Sequence, residues 1–419
     1  MRTFALAALA AVASAGRVHE FFAENNYICE LCKTAVEYAA KGRDIELDNL
    51  YEQFPKLQDR INAFAEQAEL VNLAEPEATC QRIALCEDGN ILDLLREEQP
   101  VDLSAHIEAV NSNPNSTWVA GHNDKFTGAS LKEIKSLMGT IVDPDWAIIQ
   151  RPRDAVVIND DLPENFDART QWPECESVIN HIRDQSNCGS CWAHGTTEAL
   201  NDRICISTGG NFTTLLSVAD TTACCNFIHC QSMGCNGGQV GSPWSWFKST
   251  GVVTGGDKGD SGMCYNYTMD RCAHHVTSDT LPSCDDVAKV EPKCSKKCVD
   301  ETSLTYSDDK HTAASSYGFG IFGAVDQIKA DIQKYGTVTA AFTVYEDFLT
   351  YKSGVYTHQS GSALGGHAIK TIGWGVEDGV DYWLCVNSWN ETWGDNGTFK
   401  IKMGEAGIDR QMHAGLPGQ

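Results

Sequence analysis

Gln185-Ser186-Asn187-Cys188-Gly189-Ser190-Cys191-Trp192-Ala193 is the stretch whose reading decides the fold. A Gly-Ser turn delivers Cys191 to the start of a run, Trp192 to Ile206, that reads as a helix. A thiol at a helix N-terminus feels the positive end of the macrodipole, which favours its thiolate and so its nucleophilic form. Gln185, on the turn before it, can aim a side-chain amide at the place where a carbonyl oxygen becomes negative during attack. Such a nucleophile needs a base and a group that orients the base, and neither has to be near it in sequence. Gly365-Gly366-His367-Ala368 and Asn387-Ser388-Trp389 offer both.

The stretch resembles the active-site helix of papain-like cysteine peptidases, whose local signature Cys188 to Trp192 matches. The resemblance implies an α+β, two-domain fold: a helical left domain built around the helix from Cys191, a β-barrel-like right domain, and a cleft between them. It is nearly continuous from Leu162-Pro163-Glu164-Asn165-Phe166-Asp167-Ala168-Arg169 to the C-terminus, so residues 162–419 form the expected catalytic domain. By that likeness His367 pairs with Cys191, Asn387 orients the imidazole, and Trp389 covers their hydrogen bond from water. Gln185 and the Cys191 backbone N–H would hold the oxyanion. Gly237 and Gly238 would meet the substrate backbone. Tyr382 to Asn387 and Gly397 to Ile401 have the aromatic and β-branched content of right-domain strands. His194, three residues after Cys191, stands where the family usually has an aromatic and is expected to tune packing or pH response, with His367 as the base.

Bulk properties narrow the setting. The chain has 419 residues and a formal charge of -25, without the clustered Lys and Arg that a nucleic-acid partner needs. Met1 to Ala15, with basic Arg2, an apolar core and Ala13-Ser14-Ala15, reads as a signal peptide for the secretory route, leading to a lysosome-like vacuole or the exterior. Eighteen cysteines in that context imply bridges rather than metal sites, and no cofactor or metal is expected. Asn-X-Ser/Thr triplets at Asn115, Asn211, Asn266, Asn390 and Asn396 fit the same route, with Asn390 expected to stay unmodified.

Residues 16–90 open with Cys29-Glu30-Leu31-Cys32 and close on Cys80 and Cys86, with Leu47, Leu50, Phe54, Leu57, Ile61 and Phe64 at helical spacing between. This resembles a small saposin-like helical module, short and lacking the middle cysteine pair, for which Cys29–Cys86 and Cys32–Cys80 bridges are implied. A lipid or membrane surface is one partner for it; a folding or sorting role is the blander and preferred one. Residues 91–161, with Asn115 to Asn123 and Leu131 to Thr140, resemble a cathepsin B-like pro-peptide that lies in the cleft as inhibitor, followed by an exposed linker.

Cathepsin B-like enzymes are the nearest branch by resemblance, and they imply bridges Cys175–Cys205, Cys188–Cys235, Cys224–Cys294, Cys225–Cys230, Cys264–Cys298 and Cys272–Cys284. Cys191 and Cys385 are left over, the latter as a buried inert thiol. Cys264 to Cys284 resembles the occluding loop, whose paired histidines, here His274 and His275, receive a substrate's C-terminal carboxylate and so confer dipeptidyl carboxypeptidase activity beside internal cleavage. Asp184 would latch His274. Residues 275–282 lack the arginine of a second latch, which predicts a looser loop. Ala341, Ala368 and Gln411 would line the pocket for the second residue before the cut. Gln411 replaces a glutamate, so apolar side chains are expected there rather than arginine. The alternatives are a catalytically silent relative that binds other proteins, and a lipid-binding module that the peptidase merely releases.

Overall fold

The computed structural model describes residues 99–140, 162–272, 290–300, 302–319 and 325–418. The signal segment, the saposin-like reading with Cys29, Cys32, Cys80 and Cys86, and the loop residues His274, His275 and Cys284 lie outside the described residues. Pro100–Gln419 is one compact unit.

The chain enters through α1 (Ser104–Asn111), β1 (Trp118–Ala120) and α2 (Leu131–Ser136). Ser130 caps α2 in a reciprocal box with Glu133, two orphan N–H groups being satisfied at once. Short elements follow: β2 (Phe166–Asp167), α3 (Ala168–Gln171) and α4 (Glu176–Ile179). Then comes α5 (Cys191–Ser207), whose residues are buried from Cys191 through Cys205. A helix buried all round has no amphipathic stripe, which is why its pattern identifies it less well than its turn does. α6 (Val218–Cys224), α7 (Phe227–Cys230) and α8 (Ser242–Ser249) complete the helical half. They share an apolar cluster with α5 that contains Trp192, Leu200, Trp244 and Phe247.

The second half supplies β3 (Tyr317–Gly318), α9 (Val325–Tyr335), β4 (Val338–Tyr345), β5 (Tyr351–Tyr356), β6 (Ala363–Glu377), β7 (Val380–Val386), β8 (Thr398–Lys402) and β9 (Met412–Ala414). They form one sheet in the order β1-β5-β8-β7-β6-β4-β9-β3, with β2 on β6. β5 and β8 run parallel, and the other pairs are antiparallel. Its core is aromatic: Phe342, Phe348, Tyr351, Trp393 and Phe399 stack edge-on or tilted around one another. This is the papain-like α+β fold.

Three contacts fix α5 against the sheet and so place Cys191. Gly195 lets β6 come close, since an added Cβ would lie 2.9 Å from the Ile369 carbonyl oxygen. Lys370 of β6 is buried on Asp202 at 3.0 Å. Arg203 donates to Asp331 at 2.5 Å and to the carbonyls of Gly336, Thr337 and Gly415. Disulfides Cys175–Cys205, Cys188–Cys235, Cys224–Cys294, Cys225–Cys230 and Cys264–Cys298 cross-link the helical half and its loops. Cys272 is disulfide-bonded too. Among the described residues Cys191 and Cys385 are the free cysteines, and burial pushes the Cys385 thiol far up.

Of the sequons, Asn115, Asn211 and Asn396 are exposed. Asn390 and Asn266 are buried, their amides donating to Asp184 and to the Asp260 carbonyl, so this fold gives neither room for a glycan.

Candidate active site

Cys191 heads α5, and the β6 strand beside it carries His367. Asn387, at the end of β7, accepts from His367 Nε2 at 2.7 Å. The accepting atom is the amide oxygen, because the Ser388 backbone N–H also donates to it, at 2.8 Å. Nε2 therefore holds the imidazole proton, and in the neutral ring Nδ1 is left as the acceptor. Nδ1 is buried and has no hydrogen-bond partner among the described residues. Trp389 lies over the ring with centroids 4.5 Å apart, and is itself fully buried under Phe126, edge-on at 5.3 Å. Burial holds the imidazole down at about 4.

Gln185 is pinned from both ends. Its Oε1 accepts from Ser388 Oγ at 2.8 Å, its backbone N–H donates to the Ser388 carbonyl, and its Nε2 is thereby turned toward the helix start. There it donates to Cys188 O at 2.8 Å and to Leu137 O at 3.0 Å. Leu137 belongs to the leading segment. Its carbonyl occupies the hydrogen-bond donor expected to serve an oxyanion.

The rest of that segment lies across the cleft. Gly238 donates to Gly139 O at 2.9 Å, and Thr140 donates to Gly366 O at 3.0 Å, so one chain bridges the helical half and the sheet. Thr140 Oγ1 stands 3.2 Å from Cys191 Sγ. Gly139 has no room for a side chain: an added Cβ would lie 1.8 Å from Gly189 O. Gly237, with a positive φ of 108°, faces the same peptide, its own virtual Cβ 3.1 Å from Gly139 O. Burial pushes the Cys191 thiol up. The helix N-terminus was expected to favour the thiolate; with the cleft covered, burial outweighs the hydrogen bonds that Thr140 and nearby backbone offer the sulfur, and the neutral thiol is favoured.

His274, which Asp184 was expected to latch, lies outside the described residues; the Asp184 carboxylate also meets Lys125 of the leading segment at 3.6 Å, both side chains being buried, and accepts from Asn390 Nδ2 and the Ser186 N–H. The Cys272 N–H reaches it at 3.5 Å, so the base of the loop does touch it. Nearby, Arg271 pairs with Glu391 at 3.1 Å on the surface, a contact of small worth. His194 does not face the thiol. It bonds to Ser190, packs edge-on to Tyr267 and is held down at about 3 by burial, which makes it part of the packing behind the turn.

Ala341, Ala368 and Val240 share the buried cluster with Trp192, and Gln411 is buried beside them, its carbonyl accepting from the Ala341 N–H. Lys125, Phe126, Leu137, Thr140 and Ser388 were not singled out from sequence. Leu137 and Thr140 sat in the Leu131 to Thr140 stretch and Ser388 in the Asn387-Ser388-Trp389 run, without a role of their own; a lone lysine or hydroxyl carries no periodicity that would reveal its partner.

The chain belongs to the papain family of cysteine proteases, whose model matches residues 162–416, and the C1 propeptide model matches residues 106–144. It is a cathepsin B-like cysteine peptidase, a hydrolase made as a zymogen. Among curated proteins it is 43% identical to a cathepsin B-like cysteine proteinase of Schistosoma japonicum, over 74% of this chain and 89% of that protein. It is 40% identical to cathepsin B-like cysteine proteinase 5 of Caenorhabditis elegans, over 77% of this chain and 92% of that one. Among solved structures it superposes on proCathepsin B S9 from Trypanosoma congolense with a TM-score of 0.62 at 28% identity, covering 76% of this chain and all of that one. Protein substrates and inhibition by the pro-segment follow from this membership.

Proposed function

We propose that Cys191 is the nucleophile, His367 its base and later the acid, Asn387 the orienting group and Gln185 an oxyanion donor. The observation that carries this is the His367 imidazole, clamped on the Asn387 oxygen at 2.7 Å beneath Trp389, with its unprotonated Nδ1 left over. Once the pro-segment leaves, the Cys191 proton passes to Nδ1 and the sulfur attacks the scissile carbonyl carbon. The carbonyl oxygen becomes negative where Leu137 O now sits, against Gln185 Nε2 and the N-terminus of α5. Collapse expels the amine, which takes the proton from His367, and leaves a thioester. Water gives a proton to Nδ1, adds to the thioester, and frees the acid and the thiolate.

Gly237 and Gly238 present backbone to the substrate, as the Gly238 N–H now does to Gly139 O. Ala341, Ala368 and Gln411 form the pocket for the second residue before the cut, and without a carboxylate there it takes apolar side chains. His274 and His275 add release of C-terminal dipeptides, with the loop base resting on Asp184. The enzyme follows the secretory route and matures near Leu162, after a linker.

Replacing Cys191 with Ser, His367 with Gln and Asn387 with Ala in turn tests the assignment. Turnover of a dipeptide amide falls to background in the first two and by roughly 10–100-fold in the third, by the scale of losses on disorienting a catalytic base. Full activity in His367→Gln would refute it.

A further inference from the structure

Two residues past Gln411 lies a second polar group, His413 of β9. In the antiparallel pairing of β4 with β9, Thr339 stands opposite His413, and the Ala341 N–H bonds the Gln411 carbonyl. Side chains two apart on a strand share a face. Ala341 and Thr339 on β4, Gln411 just before β9, His413 on β9, and Ala368 on β6 opposite Ala341 thus line one surface. Along it the residues change from apolar to polar: Ala341 and Ala368, then Gln411, then His413.

His413 is 6% exposed, and its Nδ1 has no hydrogen-bond partner among the described residues. The Thr339 hydroxyl opposite is already engaged: it donates to Gly195 O at 3.1 Å and accepts from Trp244 Nε1 at 3.3 Å. Burial holds the ring neutral, at about 4. A buried ring nitrogen without a partner costs free energy unless something arrives to bond it.

We infer that His413, behind Gln411, is a specificity-determining residue that makes this pocket select a side chain with an apolar body and a hydroxyl tip, tyrosine before phenylalanine, at the second position before the cut. The alanine walls accept the ring, and the phenol hydroxyl reaches the polar end, where it can donate to or accept from a neutral imidazole. A site built to bond a hydroxyl rejects the analogue lacking it, because its own polar group then stays unpaired. The inference rests on the catalytic reading above and deepens it.

The test uses the acid-matured enzyme and three peptide amides identical except for Tyr, Phe or Leu at that position. Wild type prefers Tyr to Phe by about tenfold in kcat/KM, the scale of one buried hydrogen bond. The readout is the Tyr to Phe ratio, since a packing defect lowers both substrates together. In His413→Val the ratio falls to about one; in His413→Gln, which keeps a hydrogen-bonding group, it stays above three. Equal wild-type rates for Tyr and Phe, or a ratio unchanged in both variants, would overturn the inference. Failure of wild type on all three peptides would instead strike the catalytic reading itself.

Discussion

The pro-segment meets the two halves of the molecule by different physics. On the sheet it acts as an added strand with side chains: β1 pairs with β5, Trp118 packs against Tyr351 and Tyr356, Asn123 donates to the Leu349 and Tyr351 carbonyls, and Phe126 covers Trp389. At the helical half it acts mainly as backbone laid on backbone, where Gly139 threads between Gly189 and Gly237, with Lys125 on Asp184 and Thr140 Oγ1 beside Cys191 Sγ as its side-chain contacts. The sheet contact tolerates adjustment, because apolar packing is non-directional and spread over many atoms. The helical contact does not, because a carbonyl oxygen cannot move without breaking its own hydrogen bonds. Grip and inhibition are thereby separated: the sheet side holds the segment, and the helical side silences the thiol.

The largest way to break that separation is Gly139→Ala. A Cβ 1.8 Å from Gly189 O exceeds what repacking absorbs, so the segment stays attached through β1 while Cys191 is uncovered. The variant zymogen should react with a thiol-directed epoxide at neutral pH, and continued latency would show that grip alone inhibits. Next is Lys125→Met, which takes the ammonium from the buried Asp184 carboxylate and leaves it only neutral donors such as Asn390 Nδ2 and the Ser186 N–H among those described. Removing one partner of such a pair costs about 3–5 kcal/mol. Thermal melting of an inactive Cys191→Ser zymogen should drop accordingly, and adding Asp184→Asn should restore most of it. An additive double mutant would mean the pair is not coupled.

The third concerns acid. With the segment seated, His367 is held at about 4 against an ordinary 6.5. A base depressed in one state disfavours that state as it becomes protonated. Seating is therefore fully supported above 6.5 and weakens as pH falls from there toward 4. Hydrogen exchange of β1 and Gly139 in the Cys191→Ser zymogen would follow this, with the loosening blunted in a His367→Gln background; protection that is flat from pH 7 to 4 would count against it. The smallest effect is Ser130→Ala, which removes one cap of α2 and costs about 1 kcal/mol. It should lower the melting point slightly without exposing the thiol.

The same contrast explains what the sequence disclosed. Cys191, His367, Asn387 and Gln185 were legible because each sits in a short, composition-specific context: a Gly-Ser turn before a helix, glycines before a histidine, an Asn-Ser-Trp run. The helical and sheet halves followed from them. What was not legible joins residues whose pairing only the folded chain sets. Lys125 finds Asp184, Leu137 O finds Gln185, and Thr140 finds Cys191, none through any local pattern. The macrodipole argument for a thiolate was sound locally and lost to burial, a property of the covered cleft. His413 was silent for a similar reason. A histidine in a three-residue strand acquires meaning only when β4 is known to lie beside it.

The account's central claim is that the pro-segment silences an otherwise complete Cys191 site by covering it. Mass spectrometry of the intact, unprocessed zymogen at neutral pH, treated with a thiol-directed epoxide before and after removal of the pro-segment, tests this directly. No adduct on Cys191 is expected before removal, one adduct per chain after it, and none on Cys385 in either state. Equal labelling of Cys191 in the intact zymogen would contradict it.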